Sequence, residues 1–207
     1  MTVTEPRDVG EEARRLEALW GGRFGDDYIA RNLTAARGRE AFWSRLLGAH
    51  LVRNVLEIGC NIGANLQWIA DPGRHVVGVD VNHGALQRLR HGVAGVDGVL
   101  ALARTLPFRT ASFDLVFTAG VLIHQPEEAL PAVMDEMVRC SRRYVACVEY
   151  FAETTVEVPY RGERHALFKR NYGGLFATRW PGLALREQGE LRRDAGWDDV
   201  TYWLFEK

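Results

Sequence analysis

Arg53-Asn54-Val55-Leu56-Glu57-Ile58-Gly59-Cys60-Asn61-Ile62-Gly63-Ala64-Asn65-Leu66-Gln67-Trp68 is the stretch that decides the fold of this chain. Val55, Leu56 and Ile58 form a short apolar run of the kind seen in strands buried on both faces. Gly59 and Gly63 bracket a tight turn, and residues 64–70 read as the start of a helix. Strand, glycine turn and helix in that order make a nucleotide-cofactor site, because the loop backbone is held close to the ligand.

The residue types in the turn choose among cofactors. A dinucleotide fingerprint wants glycine at the first, third and sixth places of the turn, and those places hold Gly59, Asn61 and Ala64. The missing middle glycine is the one that admits a pyrophosphate. Glu57, at the strand's end, would repel phosphate and attract a cation. A second apolar-rich run, His75 to Val79, ends at Asp80, about 20 residues past the turn, where an acid can accept both ribose hydroxyls. S-adenosylmethionine, with its adenosine, sulfonium and ammonium, suits this pattern better than a nicotinamide dinucleotide. Two ordinary strand-end polar residues are the plainer alternative.

The 207 residues suit one domain with a sizeable core. Hydrophobic residues at 47% and charged residues at 26% are the composition of a soluble globular protein. A net charge of −1 gives no reason to expect nucleic acid or an anionic membrane as a partner. Cys60, Cys140 and Cys147 are odd in number and lack metal spacing, so they read as reduced thiols. Without a signal peptide or a long apolar run, a cytoplasmic protein is expected. The Ala-, Arg- and Gly-rich composition points to a bacterial source.

Outward from the glycine turn, residues 1–51 read as a helical N-terminal cap or lid. It comprises a polar tail over 1–9, a helix from Glu11 to Trp20 stopped by Gly21-Gly22, a polar and aromatic stretch from Arg23 to Asn32, and an amphipathic helix from Ala36 to Leu51. Tyr28, Arg31 and Asn32 would face the ligand; a cap with solvated charges is the equal alternative. Residues 52–150 alternate strands and helices. After Asp80 come a helix over 83–91, a weak strand over 98–103, a strand over 112–118, a helix opened by Pro126 with Glu127 and Glu128 in its first turn, and a strand over 143–150. This is an α/β chain, and it predicts a Rossmann-like, doubly wound, mostly parallel seven-stranded sheet. Residues 151–182 form an insertion dense in Arg, Lys, Tyr and Asn on the ligand edge, and 183–207 an antiparallel C-terminal hairpin.

Ligands bind at the carboxyl ends of strands in such sheets, which gathers the candidate residues. Gly59, Asn61 and Gly63 are assigned to the methionine end of the cofactor, with Cys60 between them on the cofactor side as a small residue that fits the turn, Glu57 to its ammonium and Arg31 to its carboxylate. Tyr28 covers it, Asp80 and Val81 take the ribose, Thr105 and Leu106 lie beside the adenine, and Thr118 and Gly120 close the floor. His124 and Glu149 are the candidate bases. The plainer reading of His124 is a satisfied, half-buried histidine packed on the next helix, and Glu149 is equally a structural partner of Arg161 or Lys169. Tyr150, Tyr160, Arg161, Lys169, Arg170 and Asn171 are placed on the acceptor side, where the cations fit an anionic acceptor or form a solvated basic loop. The remaining histidines lack ligand spacing, so no metal is expected.

On these residues the chain resembles class I S-adenosylmethionine-dependent methyltransferases. Glu57-Ile58-Gly59-Cys60-Asn61-Ile62-Gly63 is similar to their first motif, Val79-Asp80 to their ribose-binding acid, and Leu106-Pro107-Phe108 followed by Ser112-Phe113-Asp114-Leu115-Val116 to their mid-domain stretch. A narrower likeness runs nearly the whole chain, through Phe24-Gly25-Asp26, Gly120-Val121-Leu122-Ile123-His124, Glu149-Tyr150-Phe151, Tyr160-Arg161-Gly162 and Leu204-Phe205-Glu206-Lys207. These resemble the methylases associated with pseudaminic acid biosynthesis. The resemblance implies a small-molecule acceptor rather than a macromolecule; with the cations at Arg161, Lys169 and Arg170, the expectation is methyl transfer to O or N of a small polar, anionic metabolite such as a sugar or amino-acid derivative. One departure is Leu102-Ala103, where many class I enzymes carry an acid near the adenine; contact there would fall to backbone and Leu106. A lyase or cyclase that cleaves the same cofactor intramolecularly, and a non-catalytic cofactor-binding module, remain as alternatives from the residues alone.

Overall fold

The computed structural model describes residues 10–31 and 38–207. The expected polar tail over 1–9 and the ligand-facing Asn32 lie outside the described residues.

The cap contains α1 (Glu11–Gly21), α2 (Arg23–Arg31) and α3 (Glu40–Ala49). The polar, aromatic stretch after Gly22 is thus a helix. Helix α1 meets α2 at close range: a Cβ on Gly25 would lie 1.9 Å from the carbonyl oxygen of Trp20. Glycine there lets the two backbones touch. Phe42, Trp43, Leu46 and Leu47, spaced as one helical face, bury α3 against the sheet.

The strands are β1 (Asn54–Ile58), β2 (His75–Asp80), β3 (Val96–Leu100), β4 (Phe113–Ala119), β5 (Ser141–Glu149), β6 (Val156–Glu157), β7 (Phe168–Lys169), β8 (Ala184–Leu191) and β9 (Val200–Glu206). Seven of them form one sheet in the order β3-β2-β1-β4-β5-β9-β8, while β6 and β7 pair separately. Strands β3 through β5 run parallel; β9 joins β5 antiparallel and β8 joins β9 antiparallel. Central β4 is buried along nearly its whole length, as expected where both faces are covered, and edge strand β8 is largely exposed.

Two apolar clusters flank the sheet. One holds α3 residues with Val55, Leu115, Phe117 and Leu204. The other holds Leu56, Val116, Val145 and the inner stripe of α5 (Leu130–Cys140), namely Leu130, Val133, Met134 and Met137. Helix α4 (His83–Gly92) packs beside β3, and α6 (Tyr172–Arg179) follows β7. Among the described residues no helix is long and apolar enough to cross a membrane.

Several boundaries differ from expectation, these four among them. The element after the glycine turn is only a 3-10 turn, Leu66–Trp68; Pro72 follows closely and the residue before a proline disfavours helix. The third strand begins at Val96, before the expected start. Pro126 does not open α5, which starts at Leu130 with Pro131 in its first turn, so Glu127 and Glu128 lie outside it. The fifth strand begins at Ser141, not Arg143.

Candidate functional site

A cavity opens at the carboxyl ends of β1, β2 and β4 and is roofed by α1 and α2. Gly59, Cys60 and Asn61 line its floor, Asp80, Val81 and Asn82 one wall, and Gly120, Val121 and His124 the opposite side. Leu16, Trp20 and Tyr28 close it from the cap.

The loop after β1 is shaped by its backbone. Gly59 has φ +70°, and a Cβ there would sit 2.3 Å from Val121 Cγ2. The amides of Gly59 and Cys60 both donate to Val79 O, at 2.7 and 2.9 Å, which folds the loop onto β2. Asn61 takes φ +49°, a conformation its side chain tolerates, and its amide donates to Asp80 Oδ2 at 2.8 Å. Asp80 Oδ1 accepts the amide of Asn82 at 2.8 Å. Asp80 therefore braces the glycine loop and the start of α4, and each oxygen retains a lone pair. Burial raises its carboxyl above the ordinary range, while the backbone amides pull it back.

Glu57 is 1% exposed. Its Oε1 accepts from Asn65 Nδ2 at 2.6 Å, whereas its Oε2 is buried with no partner. Burial pushes this carboxyl up to about 8, against the opposing pull of Asn65 and Arg39. Asn61 Oδ1 is a second buried acceptor without a donor. Arg39 closes this end of the cavity: Nη1 donates to Asn65 Oδ1 at 3.0 Å, Nε to Gly196 O at 2.9 Å, and the guanidinium stacks 4.3 Å from the Trp197 ring. Arg39 and Asn65 are thus site residues that the sequence reading missed. Asn65 was visible as the polar residue ending the glycine turn; Arg39 needs Trp197 from the far end of the chain to hold it.

His124 borders the cavity and lies 4.5 Å from Trp20 and 5.3 Å from Tyr160 between ring centroids. Its Nδ1 donates to Ala166 O at 2.5 Å, which fixes the tautomer and leaves Nε2 as a lone-pair acceptor. Burial pushes the imidazole down to about 4, so it is neutral at pH 7. Trp20, another residue not foreseen, presents a buried Nε1–H without an acceptor. Asn82 holds it in place, donating to Trp20 O at 3.2 Å and Asp26 Oδ1 at 3.0 Å.

Several expected roles are corrected by position. Arg31 is exposed at the end of α2 and does not border the cavity; Arg39 does. Tyr28 reaches it, and burial pushes its phenol up to about 12. Gly63 packs against Leu89 and lies off the cavity. Thr105 is exposed and Leu106 sits in the core with its amide on Glu136, so Ala101, Leu102 and Ala103 form that wall instead. Thr118 is wholly buried within the sheet, between β1 and β5. Glu149 is also 0% exposed and accepts the amides of Val121, Leu122 and Ile123 at 3.2, 3.2 and 3.3 Å. Burial pushes it up to about 7. It cannot touch an acceptor, and it anchors the loop that carries His124, with neither Arg161 nor Lys169 as its partner.

The basic loop is corrected likewise. Arg170 is 3% exposed and donates to Gln125 O at 3.1 Å while stacking on Phe168. Asn171 caps α6, accepting the Gly174 amide at 2.8 Å. Lys169 lies over the Tyr150 ring and exposed Arg161 over the Tyr160 ring. None of these six residues borders the cavity itself; Tyr160 comes nearest, through His124.

Residues 55–143, a little under half of the chain, match the family model described as a methyltransferase domain. The chain is 35% identical over 86 residues to an uncharacterised methyltransferase of Synechocystis sp., covering 42% of this chain and 39% of that protein. It is 32% identical over 93 residues to a probable S-adenosylmethionine-dependent methyltransferase of Mycolicibacterium smegmatis, covering 45% and 36%. The matched segment thus spans well under half of these curated relatives. In fold, the chain superposes on a Burkholderia thailandensis 1,6-didemethyltoxoflavin N1-methyltransferase solved with its substrate and S-adenosylhomocysteine, with TM-score 0.75 and 17% identity, over 100% of this chain and 93% of that one.

Proposed function

We propose that this chain transfers a methyl group from S-adenosylmethionine to O or N of a small-molecule acceptor. One observation carries the reading: the floor of the cavity presents two buried acceptors, Glu57 Oε2 and Asn61 Oδ1, with no donor of their own. Buried acceptors left unpaired are costly, and a ligand ammonium supplies the missing donors. Arg39 stands beside them for the carboxylate of the same ligand. The spare lone pairs of Asp80 suit the ribose hydroxyls, and Val81 with Ala101, Leu102 and Ala103 gives the adenine apolar walls. The Mycolicibacterium relative and the Burkholderia structure, described with this cofactor or its demethylated product, support the assignment.

When bound, the cofactor supplies an electrophilic methyl on a sulfonium. The chain's contribution is alignment of an in-line displacement, worth about 7–11 kcal/mol when the geometry is near attack, together with exclusion of water by α1 and α2. His124, which lines the cavity and keeps Nε2 as a lone-pair acceptor, serves as a neutral base, and Glu149 holds its loop. A small acceptor is supported by the roof over the cavity and by the net charge of −1. The anionic character expected of that acceptor rested on Arg161, Lys169 and Arg170, none of which lines the cavity.

Incubation with the cofactor and a metabolite mixture, followed by mass analysis of the nucleoside, tests the reading. S-adenosylhomocysteine formed only with an acceptor is the expected product. Methylthioadenosine formed without one would mean intramolecular cleavage instead.

A further inference from the structure

Resting on the methyl-transfer reading, we propose that Glu17 of helix α1 selects adenine as the base of the cofactor, accepting the N–H of its exocyclic amine from the roof of the cavity. The face that α1 turns to the cavity is Ala13, Leu16, Glu17 and Trp20, which recur at the spacing of one helical stripe. Glu17 is the ionisable residue of that stripe. Among the described residues three carboxylates line the cavity, Glu17, Glu57 and Asp80. Glu57 stands at the methionine end and Asp80 at the ribose, which leaves Glu17 for the base.

The place of Glu17 fits the edge of adenine that points away from the sugar. Asp80 O accepts the amide of Ala101 at 3.2 Å, which sets the apolar wall of Ala101, Leu102 and Ala103 directly beside the ribose carboxylate. That wall ends in a turn closed by the Thr105 amide on Leu102 O at 3.1 Å, and Arg104 belongs to this turn. Arg104 holds Glu17 in a fork: Nε donates to Oε1 at 2.6 Å and Nη2 to Oε2 at 3.1 Å. One short turn thus supplies both an apolar face for the ring and the cation that fixes a carboxylate beside it. The Glu17 side chain is 23% exposed, so it stands at the rim, between cavity and solvent. A carboxylate has about four lone-pair sites, so each oxygen can take a further donor after Arg104. The side chains of Ala101, Leu102 and Ala103 offer no acceptor, and the roof makes good that lack. A base with an oxygen in place of the amine, as in hypoxanthine, would set a lone pair against the carboxylate.

The test is isothermal titration of the full chain with S-adenosyl-L-homocysteine and with S-inosyl-L-homocysteine, which differ only in the group at position 6 and the proton on N1. The wild type should bind the adenine compound at least about tenfold more tightly, as expected for a hydrogen bond to a charged acceptor. Glu17→Gln can present either an oxygen or an N–H to the ring, so its preference should largely vanish. Arg104→Met removes the brace and leaves the carboxylate, so it should weaken both compounds and keep the preference. A wild type that takes the two compounds equally overturns the proposal, whatever the variants do. So does a Glu17→Gln protein that weakens both by one factor and keeps the wild-type preference, because Glu17 then serves only as a strap between α1 and Arg104. In either case S-adenosylhomocysteine still binds, and the methyl-transfer reading stands without this role for Glu17. If the wild type takes up neither compound, that reading has failed and the proposal falls with it.

Discussion

The floor and the roof of the cavity are built on opposite principles. The floor, from Glu57 to Asn82, is made by backbone: a positive-φ glycine, two amides on Val79 O, and a carboxylate braced by two more amides. Its parts are near neighbours in sequence or adjacent strands. The roof and acceptor side are made by side chains brought from far apart, with Trp20 beside His124 and Tyr160, and Arg39 beside Trp197. A floor held by backbone can be rigid and general, whereas a roof held by side chains can be rebuilt for a new acceptor.

If that division is right, the largest effect follows from damage to the floor. Gly59→Ala places a Cβ into Val121 at a positive φ. About 1–2 kcal/mol of backbone strain and about 1–3 kcal/mol of overpacking should abolish cofactor uptake in calorimetry and lower Tm by several degrees. Asp80→Ala comes next. Losing the loop brace and the ribose partner should weaken cofactor binding by about 1–3 kcal/mol; unchanged affinity would remove Asp80 from the site.

A pH titration separates floor from roof more finely. Glu57 sits near 8 in the folded protein, so it is mostly protonated at pH 7 and must ionise to pair with a cation. Cofactor affinity should therefore rise between pH 6 and 8, by up to about tenfold per unit, with proton release on binding. His124, near 4, is neutral throughout that range, so a change in kcat between pH 6 and 8 falls to Glu149, near 7, which holds the His124 loop. Stability runs the other way. Glu57 and Glu149 have folded values above those of unfolded carboxylates, so the folded state binds more protons and the cofactor-free protein should lose stability as pH rises from about 4.5 to 8. Glu149→Gln should flatten part of that slope and lower kcat while sparing cofactor affinity. A drop in cofactor affinity instead would mean that Glu149 serves the floor. The smallest effect is expected for Arg31→Ala, within about 0.5 kcal/mol in stability and with no change in cofactor binding, whereas Arg39→Met should weaken it.

The same division explains what the sequence made legible. The β1 turn, Asp80 and the parallel sheet were readable because strand, glycine and acid lie in order along the chain and obey local rules of burial and turn geometry. Arg39 was not, since nothing near it in sequence shows that Trp197 will stack on it and aim it at Asn65. Trp20, Phe24 and Tyr28 do recur at a spacing of four, which could have marked one helical face; the break at Gly21-Gly22 concealed it. Glu149 was read as a base because strand-end acids often line a ligand cleft. Only the folded loop shows that three amides occupy it. Arg161, Lys169, Arg170 and Asn171 looked like an anion site by composition, yet caps, carbonyls and ring faces consume such groups in long loops.

The account rests most heavily on recognition of a sulfonium nucleoside by Glu57, Asn61 and Asp80. Isothermal titration of the full chain at pH 8 with S-adenosylmethionine, S-adenosylhomocysteine and NAD measures this directly. One-to-one uptake of the first two, weakened in Asp80→Ala, with none of the dinucleotide, is the predicted result; binding of NAD in their place would contradict it.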